Sequence, residues 1–297
     1  MIAGRLAGFV LALALVAPQS SLQSDLDRIF ADPVLARGLL GARVESLRDG
    51  RVLYAHDDKK LVMPASNMKV LTLAVAAETL GWDFTFETRL EATGTIADGT
   101  LHGDLIVTGT GDPSIGAPGT GDAPLFSDWA AKLGAAGIQR IDGRIIGDDN
   151  AFDDEGIGPG WSWDDLVFGY SAPTGALSFN ENTAVVVISG VGPGQPPSIR
   201  IRPFGSGLQP VNRLTPGIGQ AASISLERVA GQPMLTVRGT VARDSVERTV
   251  SVDNPTKYFV EALKLDLEDH GIAVRGDSVD IDDLAGAPPA DGRLLID

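Results

Sequence analysis

Residues 184–252 are the stretch that most restricts the fold, because almost all of it has the pattern of short β-strands. Runs of β-branched and alternating residues are separated by Gly and Pro, which is typical of strands joined by turns. The predicted strands are 184–188, 198–202, 222–226, 234–238 and 248–252. Any helical layer of the protein therefore has to come from the flanking residues, and we predict a small β-module at 184–252 nested in a larger domain.

Helical patterns lie on both sides of this module. Residues 70–77 are apolar nearly all round, which is typical of a buried helix, and the helix should end at Gly81. A second helix should begin after Asn254, with Pro255 at its first position, and end at Gly271. Its apolar stripe consists of Phe259, Val260, Leu263 and Leu267.

The rest of the chain alternates short strands with turns. Residues 42–46 and 52–54 flank Asp49-Gly50, a strong hairpin signal. Short strands are expected within 86–91, 101–108 and 141–147, with one helix at about 126–136. This order indicates a domain interrupted by an insertion. The predicted parts are a first domain segment at 21–83, an inserted α/β domain at 84–183, the nested β-module at 184–252, and a return to the first domain at 253–297.

Composition and the N-terminus indicate an exported protein. The 297 residues carry a net charge of −15, which argues against nucleic acids and anionic membranes as partners. Arg5 precedes an apolar run at 6–17, which is shorter than the roughly 20 residues that span a bilayer. We therefore expect a signal peptide at 1–20 and a periplasmic or secreted mature chain with no membrane span, with a retained anchor as the alternative. The chain has no Cys, so disulfides are excluded.

Ser66 and Lys69 are the candidate catalytic residues. They are three positions apart at the start of the apolar helix, and residues at i and i+3 share one helix face. A Ser hydroxyl becomes a nucleophile when a base lies within hydrogen-bond reach, and desolvation prepares a Lys amine for that role. The alternative is an ordinary helix start, with Ser66 near the cap and Lys69 extending to the surface.

The residues around this pair resemble a known family. Residues 61–72 read LVMPASNMKVLT, and the segments at 109–113, 158–165, 170–173 and 253–276 are similar too. Together they resemble the class C low-molecular-mass penicillin-binding proteins over about residues 39–276. The resemblance implies an α+β fold: a penicillin-recognising serine-enzyme domain of the β-lactamase/transpeptidase type, incomplete here, interrupted by a large β-rich insertion with a nested β-module.

The function that the resemblance implies is that of a serine-type D-alanyl-D-alanine carboxypeptidase/endopeptidase of peptidoglycan. Ser66 would form the acyl-enzyme and Lys69 would be the general base, with no metal or cofactor. The implied partners are stem peptides ending in D-Ala-D-Ala, with β-lactams as inhibitors bound covalently. Within the acidic patch of the inserted domain, Asp148 and Asp149 would meet the free amine of the stem peptide, or else form a solvated turn.

The family has three active-site motifs, S-x-x-K, S-x-N and K-T-G, and only the first has a clear match. Ser178-Phe179-Asn180 fits S-x-N but follows 170–173, which belongs to the inserted domain in this family, so we interpret it as a chance match. No Lys is followed by Thr-Gly or Ser-Gly. We therefore expect a truncated enzyme that is nearly inactive alone, since one missing oxyanion donor costs about 10²–10³ in rate. A non-catalytic peptidoglycan-binding fragment and a β-lactamase are the alternatives, although a β-lactamase would not share the long insertion.

Overall fold

The computed structural model describes residues 21–117, 124–192, 194–217, 222–242, 244–286 and 292–296. The predicted signal peptide at 1–20 lies outside these residues. The chain divides between Phe84 and Thr85 into a first unit and a second unit.

The described residues of the first unit, 21–84, form two α-helices and one hairpin. Its elements are α1 (Leu22–Phe30), β1 (Ala42–Glu45), β2 (Val52–His56) and α2 (Met68–Leu80). The antiparallel pairing of β1 with β2 confirms the predicted hairpin. Helix α1 packs on β2, where the Phe30 ring stacks on Tyr54 at 5.8 Å and the Tyr54 hydroxyl donates to Asp27 at 3.0 Å. Tyr54 thereby becomes buried.

Helix α2 ends where the sequence predicts and is exposed where the sequence predicts burial. Gly81 ends it with φ +86°, a conformation that costs Gly little. No residue of α2 is buried, and Val70 and Leu73 are 74% and 68% exposed. The prediction of a buried helix is therefore wrong for the described residues. An apolar run indicates that a helix favours burial, but it does not identify the segment that would cover the helix.

The second unit contains two helices and fifteen strands among its described residues. The helices are α3 (Pro124–Ala135) and α4 (Pro255–Asp269). The strands are β3 (Thr88–Ala92), β4 (Thr95–Ala97), β5 (Thr100–His102), β6 (Leu105–Gly109), β7 (Arg140–Ile141), β8 (Ile145–Asp148), β9 (Thr183–Ser189), β10 (Ser198–Arg202), β11 (Gln209–Pro216), β12 (Ser223–Arg228), β13 (Met234–Val241), β14 (Ser245–Ser251), β15 (Ala273–Val274), β16 (Ser278–Asp280) and β17 (Arg293–Ile296).

Two sheets and two helices form the part of this unit outside the module. The larger sheet has the order β16-β8-β6-β3-β17, and the smaller has the order β15-β7-β5-β4. Helix α4 packs against β8, β16 and α3. Its four predicted stripe residues are all fully buried, so the sequence identified both the helix and its packed face. Asn254 caps the helix by accepting the Lys257 N–H at 2.7 Å.

The nested module is built from two three-stranded sheets, with orders β10-β9-β14 and β11-β13-β12. The five strands predicted from the sequence are present, and β11 is an addition that the sequence analysis missed. Strand β11 contains Pro210 and Pro216, and Pro normally argues against a strand. Strand β11 lies at the edge of its sheet, where Pro is tolerated because one side of the strand needs no ladder hydrogen bonds.

Residues 253–286 and 292–296 pack within the second unit, and the domain bounds given by the sequence remain a prediction. Strand β16 pairs parallel with β8, and β17 pairs antiparallel with β3. The apolar stripe of α4 is covered by this sheet and by α3.

Candidate active site

Ser66 and Lys69 lie side by side at the start of α2. Ser66 is in a single 3₁₀ turn, Ala65–Asn67, that runs directly into the helix at Met68. Lys69 is in the first turn of α2, and its Nζ donates to the Ser66 Oγ at 3.2 Å. The i, i+3 spacing therefore produces the contact expected of a nucleophile and its base. The catalytic roles of the two residues remain a prediction.

The backbone immediately before Ser66 is strained. Ala65 has φ +45°, in the left-handed region where a residue with a Cβ pays a steric cost of about 1–3 kcal/mol. Strained residues of this kind cluster at functional sites, where the surrounding structure holds them in place. The turn at Ala65 places Ser66 at the amino-terminal end of the helical segment, where the helix dipole favours negative charge.

Both side chains of the pair are exposed to solvent. The sequence predicts that Lys69 is partly desolvated by the apolar helix around it. The described residues do not provide this cover, because no residue of α2 is buried. The structure thus confirms the distance between the two groups and differs from the predicted environment.

The second unit holds an acid-lined cavity of about 340 Å³ near the end of β8. Asp149 lines it, whereas Asp148, the last residue of β8, accepts hydrogen bonds from the Asn150 side chain at 2.9 Å and the Asn150 N–H at 3.2 Å. The other acidic residues of the lining are Asp153, Asp154, Asp253, Asp280, Asp282 and Asp283. The cavity therefore concentrates negative charge and suits a cationic group.

Burial and mutual repulsion shape the electrostatics of this cavity. Burial raises the pKa of Asp149, and the neighbouring charges of Asp280 and Asp148 raise it further. The Thr256 hydroxyl donates to Asp149 Oδ2 and acts in the opposite direction by stabilising the charged form. The pKa of Asp282 is also raised, first by burial and then by the charges of Asp280 and other acids of the cluster.

Three carboxylates in the cavity converge closely enough to hold one cation. Ligand oxygens of Asp149, Asp280 and Asp282 lie within 4.8 Å of one another. Two of these carboxylates already accept hydrogen bonds. Asp149 accepts from the Thr256 hydroxyl, and Asp280 accepts from the Asn254 side chain at 2.7 Å and from the Asp282 N–H at 3.2 Å. The sequence analysis expected no metal and did not include Asp280 or Asp282. The only signal for them was the acidic run at 280–283.

Ser178 and Asn180 have local structural contacts. Ser178 is buried, its hydroxyl donates to the Gly175 carbonyl at 3.2 Å, and it accepts from Asn182 at 3.1 Å. The Asn180 side chain donates to the Thr183 carbonyl at 2.7 Å. These contacts stabilise a turn that leads into β9, in agreement with a chance match to S-x-N.

Known proteins share this fold. The structure is similar to the crystal structure of penicillin binding protein 4 (dacB) from Haemophilus influenzae, with a TM-score of 0.69, 26% identity, and coverage of 86% of this chain and 55% of that one. A second structure of that protein, complexed with a β-lactam, has a TM-score of 0.61 at 24% identity and supports the fold alone. The architecture is thus that of a low-molecular-mass penicillin-binding protein with a β-rich insertion.

The sequence matches the D-Ala-D-Ala carboxypeptidase 3 (S13) family over residues 22–291, and the chain belongs to this family. It is 30% identical over 267 residues to the D-alanyl-D-alanine carboxypeptidase of Actinomadura sp. (strain R39), covering 87% of this chain and 48% of that protein. It is also 31% identical over 143 residues to the D-alanyl-D-alanine carboxypeptidase DacB of Haemophilus influenzae, covering 48% of this chain and 29% of DacB. The chain spans about half the length of the first of these relatives and less than a third of the second. No helix among the described residues is long and apolar enough to cross a bilayer.

Proposed function

We propose that this chain carries the nucleophile of a serine-type D-alanyl-D-alanine carboxypeptidase/endopeptidase that acts on peptidoglycan. The observation that supports the proposal is the 3.2 Å contact between Ser66 Oγ and Lys69 Nζ at the start of α2. Membership of the S13 family and two relatives named as D-alanyl-D-alanine carboxypeptidases agree with it.

The chemistry assigned to the pair is acyl transfer. The neutral Lys69 amine accepts the Ser66 proton while Oγ attacks the carbonyl between the two D-alanines. An ester forms on Ser66, the terminal D-alanine leaves with a proton on its amine, and water then hydrolyses the ester. A β-lactam reacts through the same attack, but its opened ring stays attached, so the acyl-enzyme persists. No step requires a metal or cofactor.

We further propose that the acid-lined cavity receives the free amine of the stem peptide's diamino acid. Asp149 lies inside it, and the exposed Asp153 and Asp154 lie at its rim. Burial first and the neighbouring charges next raise the pKa of Asp149, and an ammonium group would offset both effects by stabilising the charged carboxylate. Asp148 contributes through its charge beside Asp149. With a signal peptide at 1–20, we place the mature protein in the periplasm or outside the cell.

Labelling with a fluorescent penicillin tests the proposed nucleophile. The full chain should become covalently labelled, and the label should be lost in Ser66→Ala and strongly reduced in Lys69→Ala. Saturating reagent and prolonged incubation ensure that slow labelling is detected. Lys59→Ala is the matched control, because Lys59 is an exposed Lys of the same unit that is outside the pair. Equal labelling of the wild type and Ser66→Ala would refute the assignment.

A further inference from the structure

A second cavity lies in the second unit between residues 161–167 and the strands β12 and β13. Its volume is about 540 Å³, within the roughly 300–1,000 Å³ typical of ligand sites. Trp163 and Asp164 line one side, and Ser225, Glu227, Met234 and Thr236 line the other. We call it the Trp163 groove. It shares no lining residue with the acid-lined cavity.

The strands that line the groove carry apolar and hydrogen-bonding groups side by side. Along β13, Leu235 and Val237 are buried in the core, so the alternating Met234 and Thr236 point to the opposite face. Glu227 on β12 is the direct cross-strand partner of Thr236 and is exposed. The groove thus offers a thioether and methyl surface together with a hydroxyl and a carboxylate.

Exposed aromatic rings are concentrated in the segment beside the groove. The Trp163 residue is 81% exposed, which is unusual for so large an apolar side chain. Trp161 and Tyr170 are 48% and 65% exposed, and their rings stack with centroids 6.4 Å apart. Tyr170 also stacks on Phe168 at 5.6 Å. Exposed apolar surface of this kind, rimmed by polar groups, marks a binding site.

The two sides of the groove are tied together by Arg228, whose side chain is only 4% exposed. Its guanidinium donates to Asp253 at 3.0 Å, to the Ser251 hydroxyl at 2.7 Å and to the Leu166 carbonyl at 3.3 Å. These bonds connect β12 to the segment that carries Trp163. A groove held in this way is pre-organised, so a ligand loses less free energy in ordering it.

We propose that the Trp163 groove binds the glycan strand of peptidoglycan. The proposal rests on the proposed function, because the glycan is the polymer that carries the stem peptides. A pyranose ring presents a face of C–H groups that packs on an indole ring, while its hydroxyl and N-acetyl groups form hydrogen bonds at the edge. Trp163 and Met234 supply the apolar contacts, and Ser225, Glu227 and Thr236 supply the polar ones.

The charge of the groove favours a neutral polysaccharide over a polyanion. Asp164 and Glu227 line it, and Glu227 also pairs with Arg238 at 3.2 Å. The lining Arg228 is only 4% exposed and is paired with Asp253 at 3.0 Å, and the chain as a whole carries a net charge of −15. A phosphate-bearing wall polymer would meet like charges here and be repelled. In the intact wall the lactyl carboxyl groups of the glycan form amide bonds to the stem peptides, so the strand carries no charge beside its sugar rings and avoids this cost.

Binding of uncharged N-acetylglucosamine oligomers, which have the pyranose rings and N-acetyl groups of the glycan but no lactyl carboxylates, tests the proposal on the full chain. Intrinsic tryptophan fluorescence should titrate with the oligomers, and Trp163→Ala should weaken binding about tenfold by removing the stacking surface. Trp82→Ala is the matched control, because Trp82 is 91% exposed in the first unit and should leave the affinity unchanged. Thr236→Val, which keeps the shape and removes one hydroxyl, should weaken binding more modestly.

Two results would overturn the proposal: oligomer affinity that is the same in Trp163→Ala as in the wild type, or no binding of the oligomers by the wild type. The test is independent of the catalytic assignment. Ser66→Ala should lose penicillin labelling and bind glycan normally, whereas Trp163→Ala should show the reverse pattern. Failure of one proposal is therefore distinguishable from failure of the other.

Discussion

At Asp149, burial of a carboxyl group opposes its ionisation. The pKa of Asp149 is raised in the folded protein by burial first and by the charges of Asp280 and Asp148 next. Below the unfolded pKa of about 3.9 the group is protonated in both states. As the pH rises from there to the raised folded pKa, the unfolded state ionises first, so the free energy of unfolding falls. Ionised Asp149 is thus destabilising at neutral pH.

We therefore expect Asp149→Asn to raise the thermal unfolding midpoint at pH 7 and to leave it nearly unchanged at pH 3.5. The Asn carbonyl oxygen still accepts the Thr256 hydroxyl, so the local hydrogen bond survives. Thermal denaturation followed by circular dichroism at both pH values measures the effect. Asp128→Asn, on the exposed surface of α3, is the control. A lower midpoint for Asp149→Asn at pH 7 would show that the charge is stabilising instead.

Ala65 allows a second test at the same scale. Because Gly adopts φ +45° without a steric cost, Ala65→Gly should be neutral or raise the stability of the first unit by up to about 1 kcal/mol. Ala74→Gly in the middle of α2 should instead cost about 1 kcal/mol. Chemical denaturation is followed by tryptophan fluorescence for each protein with and without the Trp82→Phe substitution. The difference between the two curves gives the signal of Trp82 and therefore of the first unit. Equal losses in both Gly variants would argue against strain at Ala65.

Helix α4 begins at the acid-lined cavity, because its capping residue Asn254 also lines that cavity. Asn254 accepts the Lys257 N–H at 2.7 Å and donates to Asp280 at 2.7 Å. Asn254→Ala removes the cap and leaves buried Asp280 short of one donor, so we expect a loss of about 1–3 kcal/mol. Asn254→Ser keeps a capping oxygen and should lose less. Urea denaturation of the three proteins measures the order, and equal stability of Ser and Ala variants would contradict the capping role.

The elements also show how far sequence reasoning reaches. The stripe of α4 and the strands of the nested module were predictable because their periodicity records the local geometry. Strand β11 was not, since its pairing partner β13 decides that a Pro-containing segment becomes an edge strand. For the acid-lined cavity, the sequence identified Asp149 but not Asp280 or Asp282. Asp280 reaches Asp149 through the parallel pairing of β16 with β8, a contact that no local pattern records.

For the whole molecule, the distribution of buried side chains predicts unequal stability of the two units. Among the described residues, Tyr54 is the buried hydrophobic residue of the first unit, whereas the large core cluster lies in the second. Segments with few buried contacts open at low free energy. The apolar yet exposed α2 belongs to this class, and the sequence alone could not reveal it.

Limited trypsin digestion should therefore cut first after Lys59, Lys60 and Lys69 and leave a persistent fragment that contains the second unit. Arg144, which immediately precedes β8 and donates to Asp104 at 2.7 Å, and Lys264 within α4 are the internal controls and should resist cleavage. The fragments are assigned by mass spectrometry. Cleavage after Arg144 or Lys264 at the same rate as after Lys69 would contradict the predicted difference in stability.

We propose that Ser66 is the nucleophile and Lys69 its base. Mass-spectrometric mapping of the chain after prolonged incubation with benzylpenicillin identifies the residue that is acylated. We expect one penicilloyl adduct, located on Ser66 in the peptide that contains residues 61–69 and absent from the Ser66→Ala protein. An adduct on another residue, or no adduct on Ser66 under saturating conditions, would contradict it.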